Sequence, residues 1–109
     1  MYELHDETIR CLFEPRSIAV IGASRDRGKI GSAVLRNILS GGCAGRILPV
    51  NPSGGDIEGL TVYPGMSDID GDGDLAIVTI PAKFVFDAVR QCADRGVKYA
   101  IVITSGFSE

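Results

Sequence analysis

Histidine is almost missing from this chain. His5 is the only one in 109 residues, and no second ligand stands at metal-binding spacing from it. Cys11, Cys43 and Cys92 are odd in number, widely spaced and free of any CxxC pattern. These gaps exclude a zinc site and a disulfide framework, and the three cysteines read as reduced cytosolic thiols. No apolar run approaches bilayer length, which excludes a transmembrane helix. Residues 1–14 carry His5, Asp6, Glu7 and Arg10 where a signal peptide needs an apolar core. Positive charge is also scarce: 11 Lys and Arg against 14 Asp and Glu leave a net charge of −3 and a pI near 5.1. No broad basic face can form, so nucleic acid is a poor partner. Internal repeats and low-complexity tracts are lacking as well.

What remains is 45% hydrophobic and 23% charged, with a mean hydropathy of +0.18. That is a soluble globular composition, and the length suits one core, hence a single domain over residues 1–109. The most informative stretch is 17–31, SIAVIGASRDRGKIG. Ile18, Ala19, Val20 and Ile21 run into Gly22; a small-residue turn and a basic loop follow, closed by Gly28 and Gly31. A helical pattern starts at once. A buried strand that breaks at glycine and feeds a helix N-terminus holds anionic groups: the backbone can come close, amides point outward, and the helix dipole favours negative charge. Arg25, Arg27 and Lys29 crowd into that loop. A phosphate-bearing ligand is expected there.

The rest of the chain alternates strand and helix. Ile30, Val34 and Ile38, with Ala33, Leu35 and Leu39, fall at helical spacing and stop at Gly41 and Gly42. Residues 46–50 read as a short strand, although Pro49 removes a ladder donor. Residues 60–63 read as a minor strand, and 75–80 as a strand buried on both faces. A helix is predicted over 83–95 with Gly96 as its stop, followed by a last strand at 99–104. The pattern is α/β: a Rossmann-like, doubly wound parallel sheet of about five strands. Ligands of such sheets sit beyond the carboxyl ends of the strands. Those ends are Gly22-Ala23-Ser24, Asn51-Pro52-Ser53, Ile80-Pro81-Ala82 and Thr104-Ser105-Gly106. None carries Asp, Glu, His or Cys in a catalytic arrangement, so no catalytic residue is assigned.

Three familiar motifs are approached and missed. A dinucleotide fingerprint needs glycine where Ser24 stands, and an acid at the end of the second strand where Asn51 stands. A P-loop needs four residues between Gly22 and Gly28-Lys29 where there are five, and a hydroxyl where Ile30 stands. Asp68 to Gly73 copies the start of an EF-hand, but its twelfth position is Thr79 inside an apolar strand. A turn is the better reading of those acids.

Residues 13–23, FEPRSIAVIGA, resemble the N-terminal CoA-binding domain of ADP-forming acyl-CoA synthetases of the acetate–CoA ligase type, related to the succinyl-CoA synthetase alpha subunit. The resemblance continues through 47–64, 74–82 and 96–109, four motifs in the family's order. It implies that Gly22, Ala23, Ser24, Arg25, Arg27, Lys29, Ile30 and Gly31 wrap the phosphates of coenzyme A. Asn51, Pro52 and Ser53 would lie along its nucleotide end. Ile80, Pro81 and Ala82 would line the groove, and Ile103, Thr104 and Ser105 would close it. Where succinyl-CoA synthetases have a lysine after the corresponding proline, this chain has Gly54 and Gly55.

In the family the chain runs on to a phosphorylated histidine and an ATP-grasp module, in the same chain or another subunit. His5 precedes the first strand and is not that histidine. The chain is accordingly expected to be a cytoplasmic fragment that holds CoA or acyl-CoA for such partners, without turnover of its own, and either to self-associate through its last strand or to dock the rest of such a ligase there. Two alternatives stay open at this point: the CoA-binding domain of a protein lysine acetyltransferase, and an NAD(P)-binding regulatory module.

Overall fold

A computed structural model of the chain describes residues 14–42, 45–70 and 73–103. Its main sheet has four parallel strands: β1 (Ser17–Ile21), β2 (Arg46–Val50), β5 (Leu75–Val78) and β6 (Tyr99–Val102), in the order β2-β1-β5-β6. Two helices cover it, α1 (Ile30–Ser40) and α2 (Ala82–Asp94). The central strands β1 and β5 are buried throughout, which is why both lack alternation. Ile18, Val20, Leu75 and Ile77 face α1 through Leu35, Val34 and Ile38. Ala19, Ile21, Ala76 and Val78 face α2 through Val85, Ala88 and Cys92. This is the Rossmann-like architecture expected from the pattern, with helices on both faces. The main sheet holds four strands among the described residues where about five were expected.

Local departures have physical causes. The buried stripe of α1 runs through Gly31 and Leu35, with Ile38 beside it, while Ile30 and Leu39 are exposed. Close contact at Gly31 turns that stripe inward. Pro49 is fully buried in β2, yet it costs no ladder bond. The Val50 carbonyl faces β1 and accepts from Gly22 N at 3.0 Å, whereas the Pro49 carbonyl faces outward and accepts from Tyr63 N at 2.9 Å. The absent Pro49 N–H therefore lies on the outer side of an edge strand, where proline is tolerated.

The minor strand is half of a hairpin, β3 (Asp56–Ile57) paired antiparallel with β4 (Leu60–Thr61). Glu58 and Gly59 both take positive φ, 52° and 80°, as a two-residue turn between twisted strands requires. Asp68 accepts from Gly65 N at 3.0 Å and closes the 3-10 turn Met66–Asp68, so this acid serves a turn. The α2 stop is as expected: Gly96 takes φ +76° and Val97 N donates to Cys92 O at 3.0 Å. Burial pushes the Cys92 thiol above its ordinary pKa, making it a core hydrophobe and a poor nucleophile. His5, Cys11, Cys43, Thr104 and Ser105 lie outside the described residues. No helix among those described is long and apolar enough to cross a membrane.

Candidate functional site

The strand order places a switch point between β1 and β5. From β1 the chain passes over one face to β2; β5 lies on the other side of β1 and leads to α2 on the opposite face. The loops after β1 and β5 therefore diverge, and a crevice opens at their carboxyl ends. Its floor is built from glycines in contact. Gly22 takes φ +96°, and a Cβ there would come within 2.6 Å of Thr79 Oγ1. A Cβ on Gly31 would overlap the Gly22 carbonyl oxygen. Only glycine at both positions lets the start of α1 lie directly on the end of β1.

Thr79 secures that contact from below. Its Oγ1 and its backbone N both donate to the Ile21 carbonyl, each at 2.8 Å. Above it lies a cavity of about 440 Å³. Gly22, Ser24, Gly28, Lys29, Ile30 and Gly31 form one wall; Asn51, Thr79, Ile80 and Pro81 form the other. Among the described residues, Lys29 is the only charged one in this lining, and no carboxylate joins it.

Helix α1 enters the cavity bare. Its N-cap position is Lys29, no side chain caps it, and no acid stands in its first turn. First-turn amides have no partner inside a helix and are normally met by Ser, Thr, Asp or Asn. A bare N-terminus with a lysine beside it suits an anion. The loop in front is held by its own side chains. Ser24 Oγ accepts from Asp26 N at 3.0 Å, and Asp26 Oδ1 accepts from Gly28 N at 2.9 Å.

Across the cavity, the Asn51 side chain is engaged through both its nitrogen and its oxygen. Its Nδ2 donates to Ala23 O at 2.8 Å, and its Oδ1 accepts from Ser53 N at 2.9 Å and Ser53 Oγ at 2.8 Å. Asn51 thus ties the turn after β2 to the loop after β1. A second cavity of about 450 Å³ adjoins the first through Gly22, Ile80 and Pro81. Val50, Pro52, Pro64, Met66 and Phe84 make it mainly apolar.

Of the residues the sequence nominated, the structure gathers Gly22, Ser24, Lys29, Ile30, Gly31, Asn51, Ile80 and Pro81 around the first cavity and Pro52 at the second. Ala23 is buried beneath the loop. Arg25, Arg27, Ser53 and Ala82 are outside both linings, and Ile103 lies past β6 at the sheet edge. Thr79 was missed. Its signal was a polar residue at the end of the apolar run LAIVTIP, at the strand end that meets the glycine turn.

Residues 16–109 match the family described as CoA binding domain. The chain is 46% identical over 101 residues to the ADP-forming acetate–CoA ligase II of Archaeoglobus fulgidus, covering 93% of this chain and 15% of that protein. It is 42% identical over 106 residues to the alpha subunit of the ADP-forming acetate–CoA ligase I of Pyrococcus furiosus, covering 94% and 23%. Among solved structures it resembles the dinucleotide forming acetyl-coenzyme A synthetase 1 of Ca. Korarchaeum cryptofilum in complex with phosphate and ADP. The TM-score is 0.87 at 45% identity, over 91% of this chain and 21% of that one. The chain thus spans less than a quarter of the length of these relatives.

Proposed function

The chain belongs to the CoA-binding domain family, and from that premise we propose that it holds coenzyme A at the β1/β5 crevice for an ADP-forming acyl-CoA ligase. One observation carries the placement: an uncapped helix N-terminus, reached only because Gly22 and Gly31 touch, opens into a cavity whose single charged lining residue among those described is Lys29. The residues present fit the group. The amides of Ile30 and Gly31 at the start of α1 and the Lys29 ammonium would hold phosphate oxygens, and a Cβ on Gly31 would destroy the cradle. The adjoining apolar cavity suits an uncharged part of the same molecule, since most of the area in a ligand site is apolar.

Bound CoA supplies the thiol on which an acyl group is carried as a thioester. The work of this chain is to fix the ligand's anionic end so that its thiol arm is presented from a defined point. Lost rotational freedom is then met before the reaction, which is how positioning accelerates a step. Activation of the acid and phosphoryl transfer we assign to other modules of such a ligase, the phosphohistidine and ATP-grasp parts.

Titration calorimetry with CoA, NAD and NADP tests this reading. CoA is expected to bind and NAD to give no detectable heat, because Asn51 stands where a ribose-binding acid would be needed and its amide is already engaged. NAD binding tighter than CoA would overturn it. Asp26 offers a second check. Its carboxylate sits in the phosphate loop on the amide of Gly28, a cavity-lining residue. Asp26→Asn keeps an acceptor oxygen and removes the charge, so CoA is expected to bind on the order of threefold tighter at low salt. Weaker binding would show that the loop needs the carboxylate itself.

A further inference from the structure

Three cations crowd into the loop after β1, and the structure divides their roles. Lys29 lines the cavity. Arg25 reaches away from it: Nε donates to the Asp56 carbonyl at 2.9 Å and Nη2 to the Gly54 carbonyl at 2.7 Å. The planar guanidinium thus bridges two carbonyls on either side of Gly55. Gly55 takes φ +84°, and a Cβ on it would collide with Nη2, so the arginine lies flat against a backbone that only glycine can present.

We infer that Arg25 is a positioning residue, a strut between the phosphate loop and the turn that leads into β3, and not one of the cations that contact the ligand. The inference rests on the proposed site and refines it. Three bonds stitch the two segments together: the pair from Arg25, and Asn51 Nδ2 to Ala23 O. The far end of the strut is anchored. Gly55 O accepts from Val62 N at 2.8 Å, and Val62 and Ile57 are buried beside Leu35 of α1. The near end is a loop of six residues, 24–29, whose other side-chain ties, Ser24 to Asp26 and Asp26 to Gly28, are internal to it. Without Arg25, the stretch bearing Ser24 and Gly28 keeps its own turns but loses its attachment to the core beyond Ala23. The sheet is untouched by such a loss. The fraction of molecules with the loop in its binding geometry is what falls, and apparent affinity falls with it.

A strut and a phosphate ligand respond differently to the same substitutions. Lysine keeps the charge but has no planar fork to span two carbonyls. Arg25→Lys and Arg25→Gln are therefore expected to weaken CoA binding alike, by roughly tenfold if the competent fraction drops to about a tenth. In Arg25→Lys, which keeps the charge, the dependence of affinity on ionic strength should stay that of the wild type. Lys29→Ala should flatten it. Amide hydrogen exchange on the ligand-free chain supplies a readout independent of CoA. Both Arg25 variants should speed exchange across 22–29 and 54–56 while β5 and α2 keep their protection.

Recovery of affinity in Arg25→Lys would make Arg25 a phosphate contact and overturn the inference. So would unchanged loop exchange in both variants, whether or not the wild type binds CoA. Failure of the wild type to bind CoA, with loop exchange accelerated in the variants, would overturn the proposed ligand and leave the strut standing.

Discussion

Replacing Gly31 by alanine should cost the fold about 3 kcal/mol and abolish CoA binding, since an added methyl there meets the tightest contact of any described glycine. The added methyl would overlap the carbonyl oxygen of Gly22 and come within 3.0 Å of Thr79 Oγ1. Neither neighbour can yield cheaply. The Gly22 carbonyl belongs to a backbone held by its own amide on Val50 O, and Thr79 is held on Ile21 O. The start of α1 must lift off β1, and that movement opens the cradle beneath the helix amides. For a domain of this size the melting temperature should fall by roughly 15 °C. Gly28→Ala is the fitting contrast, since its nearest neighbour is the Asp26 carboxylate at 3.3 Å, an exposed side chain that can move. Thermal unfolding of both variants followed by CoA titration decides the matter. A Gly31→Ala protein that melts with the wild type would mean that the helix entry is not packed as described.

The second large effect is electrostatic. Lys29→Ala should weaken CoA binding by about 10- to 100-fold, because a charge-assisted contact to phosphate is worth roughly 1.5–3 kcal/mol. The loss should be greatest at low salt. The side chain can be removed without disturbing the helix entry, since Lys29 builds that entry through its backbone. Its N donates to Asp26 O at 3.0 Å, and its carbonyl accepts from Ser32 N and Ala33 N at 3.2 and 3.3 Å. Stability should therefore stay near the wild-type value, within about 0.5 kcal/mol, as for most surface substitutions. Unchanged affinity, measured by calorimetry at two ionic strengths, would assign Lys29 to solvated surface and leave the anion to backbone amides alone.

Much of this site could be read along the chain because its signals are local. A four-residue apolar run ending at Gly22, a helical stripe starting at Ile30 and a second run ending at Pro81 announce buried parallel strands and the turns that end them. Strand ends in such folds are ligand sites, so naming the ends named Gly22, Asn51 and Ile80, and the basic glycine loop after the first end named Lys29 and Gly31, before any packing was known. The resemblance through four ordered motifs then named the ligand class.

Other features depend on contacts between segments far apart in sequence. Pro49 in a strand is awkward until Tyr63 is seen on its outer side. Strand β3 is invisible at Asp56 and Ile57, since two residues carry no period and the hairpin exists through its turn at Glu58 and Gly59. Thr79 read as one more residue of an apolar strand until it met a carbonyl 58 residues away. Arg25 read as one of three equal cations, and its separate role came from two carbonyls 29 and 31 residues away. Composition and periodicity report how each segment meets water and its own neighbours, and they determined the α/β class and the place of the crevice. Which donor meets which acceptor is decided only when the sheet order β2-β1-β5-β6 brings those segments together, because a hydrogen bond acts over about 3 Å and carries no signal along the chain between its partners.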